Sequence, residues 1–271
     1  MKDMMEIAYG TITGRDHLLA EKNNQDALAF QLNDQAIIAV VCDGCSSGKH
    51  SEVGAKIGAQ LIIQAINQRI AEFNDAAKVN KALEMARHDV LAQLRILSLA
   101  MGQNFRQIIN DYFLFTIVGA VLTPQSAVLF NLGDGLVIIN NQIIPLGPFA
   151  NNEPPYLGYQ LISSGPDKSL AWQVIQILPS ADVQSLLIAT DGAFDLLKAE
   201  NKVIPGKQEI VGNISQFWQN DSYYKNPDML RRKLWQINRT ISAPDWLNRV
   251  INKENGHLPD DTTLIVIRRK S

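Results

Sequence analysis

Apolar and polar positions change rhythm several times along the chain. Alternation with a period of two over Glu6–Thr13 and Asp26–Leu32, and the apolar run within Gln35–Cys42, predict three strands, with Asn33–Asp34 as a hairpin turn between the last two. From Ser51 to about Phe73 the spacing becomes helical. Val53, Ile57, Leu61, Ile62 and Ile66 lie along one expected face, and Gly54, Ala55, Gly58 and Ala59 allow close approach to a sheet. A second long helix is expected over Lys78–Ala100, carrying Leu83, Ala86, Val90, Leu91, Leu94 and Leu97. Strand character returns over Tyr112–Leu122, Ser126–Leu132 and Leu136–Leu146, the last bent at Asn140–Asn141. NNEPP at 151–155 reads as loop, Ser169–Leu178 and Ser185–Ala189 as strands, Ala193 to about Lys253 as helical and irregular, and Thr263–Arg269 as a closing strand. Two strand-rich blocks, each followed by helices, predict a sheet-on-sheet core with helices outside.

Composition narrows the picture without specifying chemistry. The 271 residues are 46% hydrophobic and 19% charged, enough apolar sequence for a sizeable core. Net charge is −2, and no basic run matches a nucleic-acid footprint. The short clusters Arg231–Lys233 and Arg268–Lys270 read as solvated surface. MKDMMEIAYG shows no secretory h-region, and the apolar runs fall short of the ~20 residues that span a bilayer. The expectation is a cytoplasmic protein without a membrane or nucleic-acid partner, and a monomer. The two cysteines, Cys42 and Cys45, form a single CxxC with a glycine and an aspartate in the gap, and read as reduced thiols without a catalytic role.

The candidate chemistry lies where strands stop. VVCDG (40–44), FNLGDG (130–135), LLIATDG (186–192) and LPDDTTLIVI (258–267) each join an apolar run to aspartate, three of them as Asp–Gly. One Asp–Gly is an ordinary turn. Several at strand ends that can meet at one sheet edge suit a hard divalent cation, which takes carboxylate oxygens, backbone carbonyls and water. Without a cation, clustered carboxylates repel one another. Glycine after the aspartate lets backbone approach closely.

Taken in order, these segments resemble the metal-dependent protein phosphatases, the type 2C serine/threonine family, in a divergent bacterial-like branch. NQDALAF (24–30) is similar to the NEDA-type motif and VVCDGCSSGKHSEVGA (40–55) to the DGxGG element before a helix. NLGDG (131–135) is similar to the GDSR segment, LLIATDGAFDLL (186–197) to ATDGxxD, and PDDTTLIVI (259–267) to the terminal DDxT strand. The resemblance implies an α+β fold: a four-layer αββα sandwich of two antiparallel sheets flanked by helices. It implies one domain over 1–271, with flap or lid segments at about 147–170 and 200–256. It further implies two Mn²⁺ or Mg²⁺ ions bridged by Asp43, with the Gly44 carbonyl as a ligand. Asp191 and Asp260 would complete the first ion's shell, and Asp26 would act on the second through water. Asp134, Asp195 and Asp191 would hold a weaker third ion. Asp43, Asp191 and Asp260 would then be catalytic, supporting in-line attack on a phosphorylated protein by a metal-bridging water. Neither cysteine has an arginine six positions on, which agrees with a route lacking a cysteinyl-phosphate.

The sequence also departs from the family. Glu21 stands where the family places a phosphate-binding arginine, leaving Lys22 and His17, with Arg15 nearby, as candidate phosphate contacts. DGCSSG and GDG replace DGxGG and GDSR; Glu52 reads as a helix N-terminal acid. Competing readings are a small-molecule phosphomonoesterase on the same fold and a catalytically weak or dead binding module. Retention of Asp43, Asp191 and Asp260 argues against the latter.

Overall fold

In β3 (Ile37–Asp43) every residue but the last is buried, and alternate side chains enter different cores. Ile37, Ala39 and Val41 face one apolar cluster; Ile38, Val40 and Cys42 face another. A strand covered on both faces reads as a continuous apolar run. That is why AIIAVVC lacks alternation.

The computed structural model of the chain describes residues 1–165 and 167–270. Pro166, within the expected 147–170 flap, and Ser271, the last residue of the expected domain, lie outside the described residues. One antiparallel sheet runs β2 (Asp26–Leu32), β3, β4 (Ile117–Leu122), β5 (Ser126–Leu132) and β8 (Gln173–Pro179). The other runs β1 (Met5–Ile12), β12 (Thr262–Arg269), β9 (Ser185–Ala189), β6 (Gly135–Ile139) and β7 (Gln142–Leu146). Between them lie Ile37, Val41, Val137, Ile188, Ile265 and Ile267. On the outer face of the first sheet pack α2 (Ser51–Asn67) and α3 (Ala76–Met101), through Ile62, Ile66, Leu83 and Leu94. Against the second pack α5 (Ala193–Ala199) and α8 (Met229–Asn238), through Leu196, Leu230, Leu234 and Ile237. This is the expected αββα sandwich. Each such Leu or Ile contributes roughly 1.5–3 kcal/mol by burial.

Several local expectations are corrected. The buried stripe of α2 is Gly54, Ala55, Gly58, Ala59, Ile62 and Ile66, while Val53 is 38% exposed. The small residues set that face because a Cβ at Gly54 would stand 1.7 Å from the Tyr112 carbonyl oxygen. The helix stops at Asn67 and a short 3₁₀ turn, Ile70–Asn74, follows. The strand expected over Tyr112–Leu122 begins only at Ile117. Before it, α4 (Phe105–Tyr112) is capped by Asn104, whose Oδ1 accepts the Gln107 N–H at 3.2 Å. Ser169 belongs to a 3₁₀ turn, Lys168–Leu170, and its strand starts at Gln173. The hairpin β10 (Ile241–Asp245) and β11 (Val250–Glu254) was not expected; its side chains are mostly exposed and give no two-face signal. Nor is Arg268 solvated surface: its guanidinium bonds Glu6, Asp221 and the Trp218 carbonyl and stacks over Tyr224 at 3.9 Å. The bend at Asn140–Asn141 is present, with φ of 48° and 68°. Among the described residues no helix is long and apolar enough to cross a membrane.

Candidate metal centre

The strand ends converge at one edge of the sandwich. Asp26 opens β2 and Asp43 closes β3, and the two are direct cross-strand partners. Asp134 lies in the turn that carries the chain from β5 in one sheet to β6 in the other. That turn is possible because Gly133 and Gly135 take φ of 87° and 139°. Asp191 follows β9, and Asp260 precedes β12, the strand beside it. Five chain segments thus bring five carboxylates to the seam between the sheets.

Electrostatics shows what this convergence costs. Asp43 is raised well above the usual carboxylate range, first by burial and then by the charges of Asp26, Asp191, Asp260 and Asp134. Burial, then Asp261, raises Asp26. Asp191 is pushed up to about 7 by burial, with Asp260, Asp134 and Asp195 adding to it. Asp134 and Asp260 shift upward for the same first reason. No lysine or arginine forms an ion pair with these five among the described residues. Asp26 and Asp134 are buried, Asp43 and Asp191 half-buried and Asp260 open to solvent; crowded like charges without a counter-charge are the condition a divalent cation relieves.

The supporting shell was not foreseen. Thr190 donates its hydroxyl to Asp26 Oδ2 at 2.7 Å and accepts the Thr263 N–H at 3.1 Å. The Asp26 N–H goes to Asn24 Oδ1 at 2.9 Å. Asp26 Oδ1 is buried with no protein partner, as is Gln25 Oε1. A buried acceptor rarely stays unpaired, so the donor set and this orphan oxygen fit a hard cation. The signal for the shell was present as polar residues inside the buried motifs ATDG and DDTT, but no periodicity distinguished them from turn residues.

Asp261 has a different occupation. Its Oδ1 accepts the Gly14 N–H and its Oδ2 the Gln25 N–H, each at 2.6 Å. His17 Nδ1 stands 2.9 Å from Asp261 Oδ2, at an angle outside hydrogen-bond geometry, and Nε2 is 3.8 Å from Asp260 Oδ1. Among the described residues, His17, Asp260 and Asp261 are the one trio whose potential ligand atoms all lie within 4.8 Å. We do not read that trio as the cation cage, because both oxygens of Asp261 are already committed to backbone donors. The five convergent aspartates surround the seam more widely.

Gly44 is confined: a Cβ would meet the Gln25 carbonyl oxygen at 2.8 Å. Asp195, in the first turn of α5, contributes charge toward Asp191 and Asp260 and is paired with Lys198 at 3.0 Å. Lys22 is exposed and donates to the Ser46 carbonyl at 3.3 Å, which sets it over the loop that follows Asp43. Arg15 is directed away, to Asp16 and the Gly256 carbonyl. The exposed Glu21 takes a φ of 55°. Glu52 accepts from Asn23 at 3.1 Å. Both cysteines are free thiols, Cys42 buried and Cys45 half-buried. Tyr156 is buried beside Cys45, and burial raises its phenol. Trp218, Tyr223 and Tyr224 pack onto the α5/α8 core.

Comparison with known proteins agrees with this arrangement. The sequence profile of the family described as Protein phosphatase 2C matches residues 13–226, which contains four of the five aspartates and stops short of β12. Serine/threonine-protein phosphatase 3 of Escherichia coli (strain K12) is 26% identical over 157 residues, 53% of this chain and 58% of that protein. The chain therefore matches little more than half the length of this curated relative. A crystal structure of a bacterial serine phosphatase superposes with a TM-score of 0.55 at 18% identity, covering 98% of each chain. The serine/threonine phosphatase Stp1 from Staphylococcus aureus does so with 0.53 at 17% identity, covering 99% of this chain and 96% of that one. These structural likenesses establish the αββα fold, and the profile, matching most of the sequence, establishes kinship: the chain belongs to the protein phosphatase 2C family.

Proposed function

We propose that the chain is a metal-dependent serine/threonine protein phosphatase that hydrolyses phosphomonoesters on protein substrates. The observation that carries this reading is the meeting of five carboxylates at one seam without a compensating cation. Asp43, Asp191, Asp260 and Asp26, with the Gly44 carbonyl, would hold two Mn²⁺ or Mg²⁺ ions; Asp134 and Asp195, with Asp191, would hold a weaker third. When bound, such ions supply a nucleophile at neutral pH and neutralise charge on the phosphoryl oxygens.

The chain's own groups have narrower tasks. Thr190 holds one oxygen of Asp26 and leaves the other directed at the site. Gly133 and Gly135 let Asp134 enter from the crossing between sheets. The Asp261 clip fastens the 12–25 segment to the base of β12, which fixes Asp260 one residue away. Lys22 lies where a cation could meet substrate phosphate, and His17 is near enough to Asp260 to orient it. In this reading the chain forms one domain over 1–271. Segment 147–170 is the flap, supported by Gly147 against Asp134 and Tyr156 beside Cys45; 200–256 forms the outer lid around α8.

The test is hydrolysis of p-nitrophenyl phosphate and a phosphothreonine peptide with Mn²⁺, with Mg²⁺ and with EDTA. Turnover should require metal, and Asp43→Asn should lower it by more than about 100-fold, since even outer-shell changes cost about 10–100-fold. Full activity in Asp43→Asn would overturn the metal assignment.

A further inference from the structure

Beside the carboxylate edge lies a groove of about 600 Å³ that the hydrolytic chemistry does not use. One wall is α1 (Arg15–Leu19), the other α8 and the residues just after it; Thr11 and Asn24 line the end nearest the seam. Two contacts tie this groove to the site. The Arg15 and Asp16 N–H groups donate to the carbonyls of Leu258 and Pro259, both at 2.9 Å, so α1 is seated on the loop that carries Asp260. Asn24 Oδ1 accepts the Asp26 N–H at 2.9 Å. A segment leaving the seam on this side would therefore run into the groove.

The lining has a definite chemistry. Leu18, Leu19 and Trp235 are 59%, 69% and 55% exposed, an apolar cluster that solvent does not favour. Arg15, Arg231 and Arg239 also line it, and none of its lining residues is acidic. Their charges are only partly met: Arg231 shares Asp228 with Arg232, Arg15 is paired with Asp16, and among the described residues Arg239 donates only to the Pro205 carbonyl. Three guanidiniums thus line one apolar floor with two carboxylates between them, one of which is also shared with Arg232. An acidic residue next to a large apolar one complements this surface.

Resting on the phosphatase reading, we propose that this groove docks the segment flanking the phosphoresidue of a protein substrate, and selects segments that carry an acidic side chain and a bulky apolar one. Selection acts through binding, so it enters KM and leaves the reaction at the seam unchanged.

The test compares wild type, Trp235→Ala, Arg239→Gln and the double variant, all with Mn²⁺. The substrates are p-nitrophenyl phosphate and two phosphothreonine peptides, one flanked by Glu and Leu, the other by Lys and Ala. Wild type should show about a tenfold lower KM for the Glu/Leu peptide. The double variant should lose that preference while keeping p-nitrophenyl phosphate turnover and melting temperature. Equal KM values in wild type, or a preference that survives the double substitution, would overturn the groove. Fluorescence anisotropy of the labelled peptides on Asp43→Asn reads the same discrimination without turnover. Metal-dependent hydrolysis failing altogether would therefore sink the phosphatase reading, while equal anisotropy for the two peptides would sink the groove. Dimerisation that Trp235→Ala abolishes, without peptide discrimination, would assign the face to a second copy and overturn the substrate proposal.

Discussion

Asp26 and Asp261 are both almost fully buried, 3% and 2% exposed, and sit on neighbouring segments of the same seam. Asp261 has a backbone N–H on each oxygen at 2.6 Å, and His17 beside it. Asp26 has one oxygen bonded to Thr190 and the other bare, with the charges of Asp261 and Asp191 close enough to act on it. The same residue type at the same depth is a structural clip in one region and, in our reading, part of a cation site in the other. What separates them is the supply of donors: a carboxylate satisfied by N–H groups holds the chain, and one left short of them is available to an ion.

The largest effect on stability that would break this contrast comes from Asp261→Asn. An amide keeps one acceptor and turns an NH₂ toward Gly14 or Gln25, leaving a buried N–H unpaired. The expected cost is about 2–3 kcal/mol. A thermal melt should show a drop of roughly 5–10 °C. An unchanged melting temperature would remove the clip from the account.

Titration sharpens the contrast next. In the metal-free chain Asp191 moves from 3.8 to about 7, and Asp26, Asp43, Asp134 and Asp260 also move up. Raised folded pKa values mean the folded state holds more protons than the unfolded state across that window. Stability contributed by these groups is present at acid pH and is lost as pH rises toward and through about 7. Melts in EDTA should therefore show a falling melting temperature between about pH 5 and about pH 7.5, and Mn²⁺ should restore it most at the upper end. A metal-free melting temperature that rises over that range would contradict the crowded carboxylates.

Thr190→Val gives the smallest effect. It removes the donor to Asp26 Oδ2 and frees that carboxylate to turn. Apparent Mn²⁺ affinity, measured by calorimetry, should weaken by about tenfold, with a stability change of about 1 kcal/mol. Equal affinity would show that Asp26 needs no such support.

Much of this was readable in one dimension. The uninterrupted apolar run before Asp43, the turn at Asn140–Asn141 and the Asp–Gly steps predicted the sheets and the aspartates at strand ends, because each rests on local periodicity or turn chemistry, whereas Asp26 entered only through the family resemblance. The exposed β10–β11 hairpin was illegible, since strands without a buried face carry no alternation. The stripe of α2 was placed in part: Ile62 and Ile66 and the close-approach residues Gly54 and Gly58 are buried, but the space against the Tyr112 carbonyl and the Phe115 ring goes to those glycines and leaves Val53 exposed. Arg268 read as surface because charge in sequence says nothing of partners as distant as Glu6 and Asp221.

By itself the sequence determined which residue types end each strand, how many apolar faces each strand must bury, and so the layered architecture. Only the tertiary structure decided which aspartates are satisfied and which are not. Asp260 and Asp261 are adjacent and chemically identical, and local pattern cannot separate them. Their difference arises from N–H groups at Gly14 and Gln25, more than 230 positions away, which reach Asp261 only when β1 and β2 are in place.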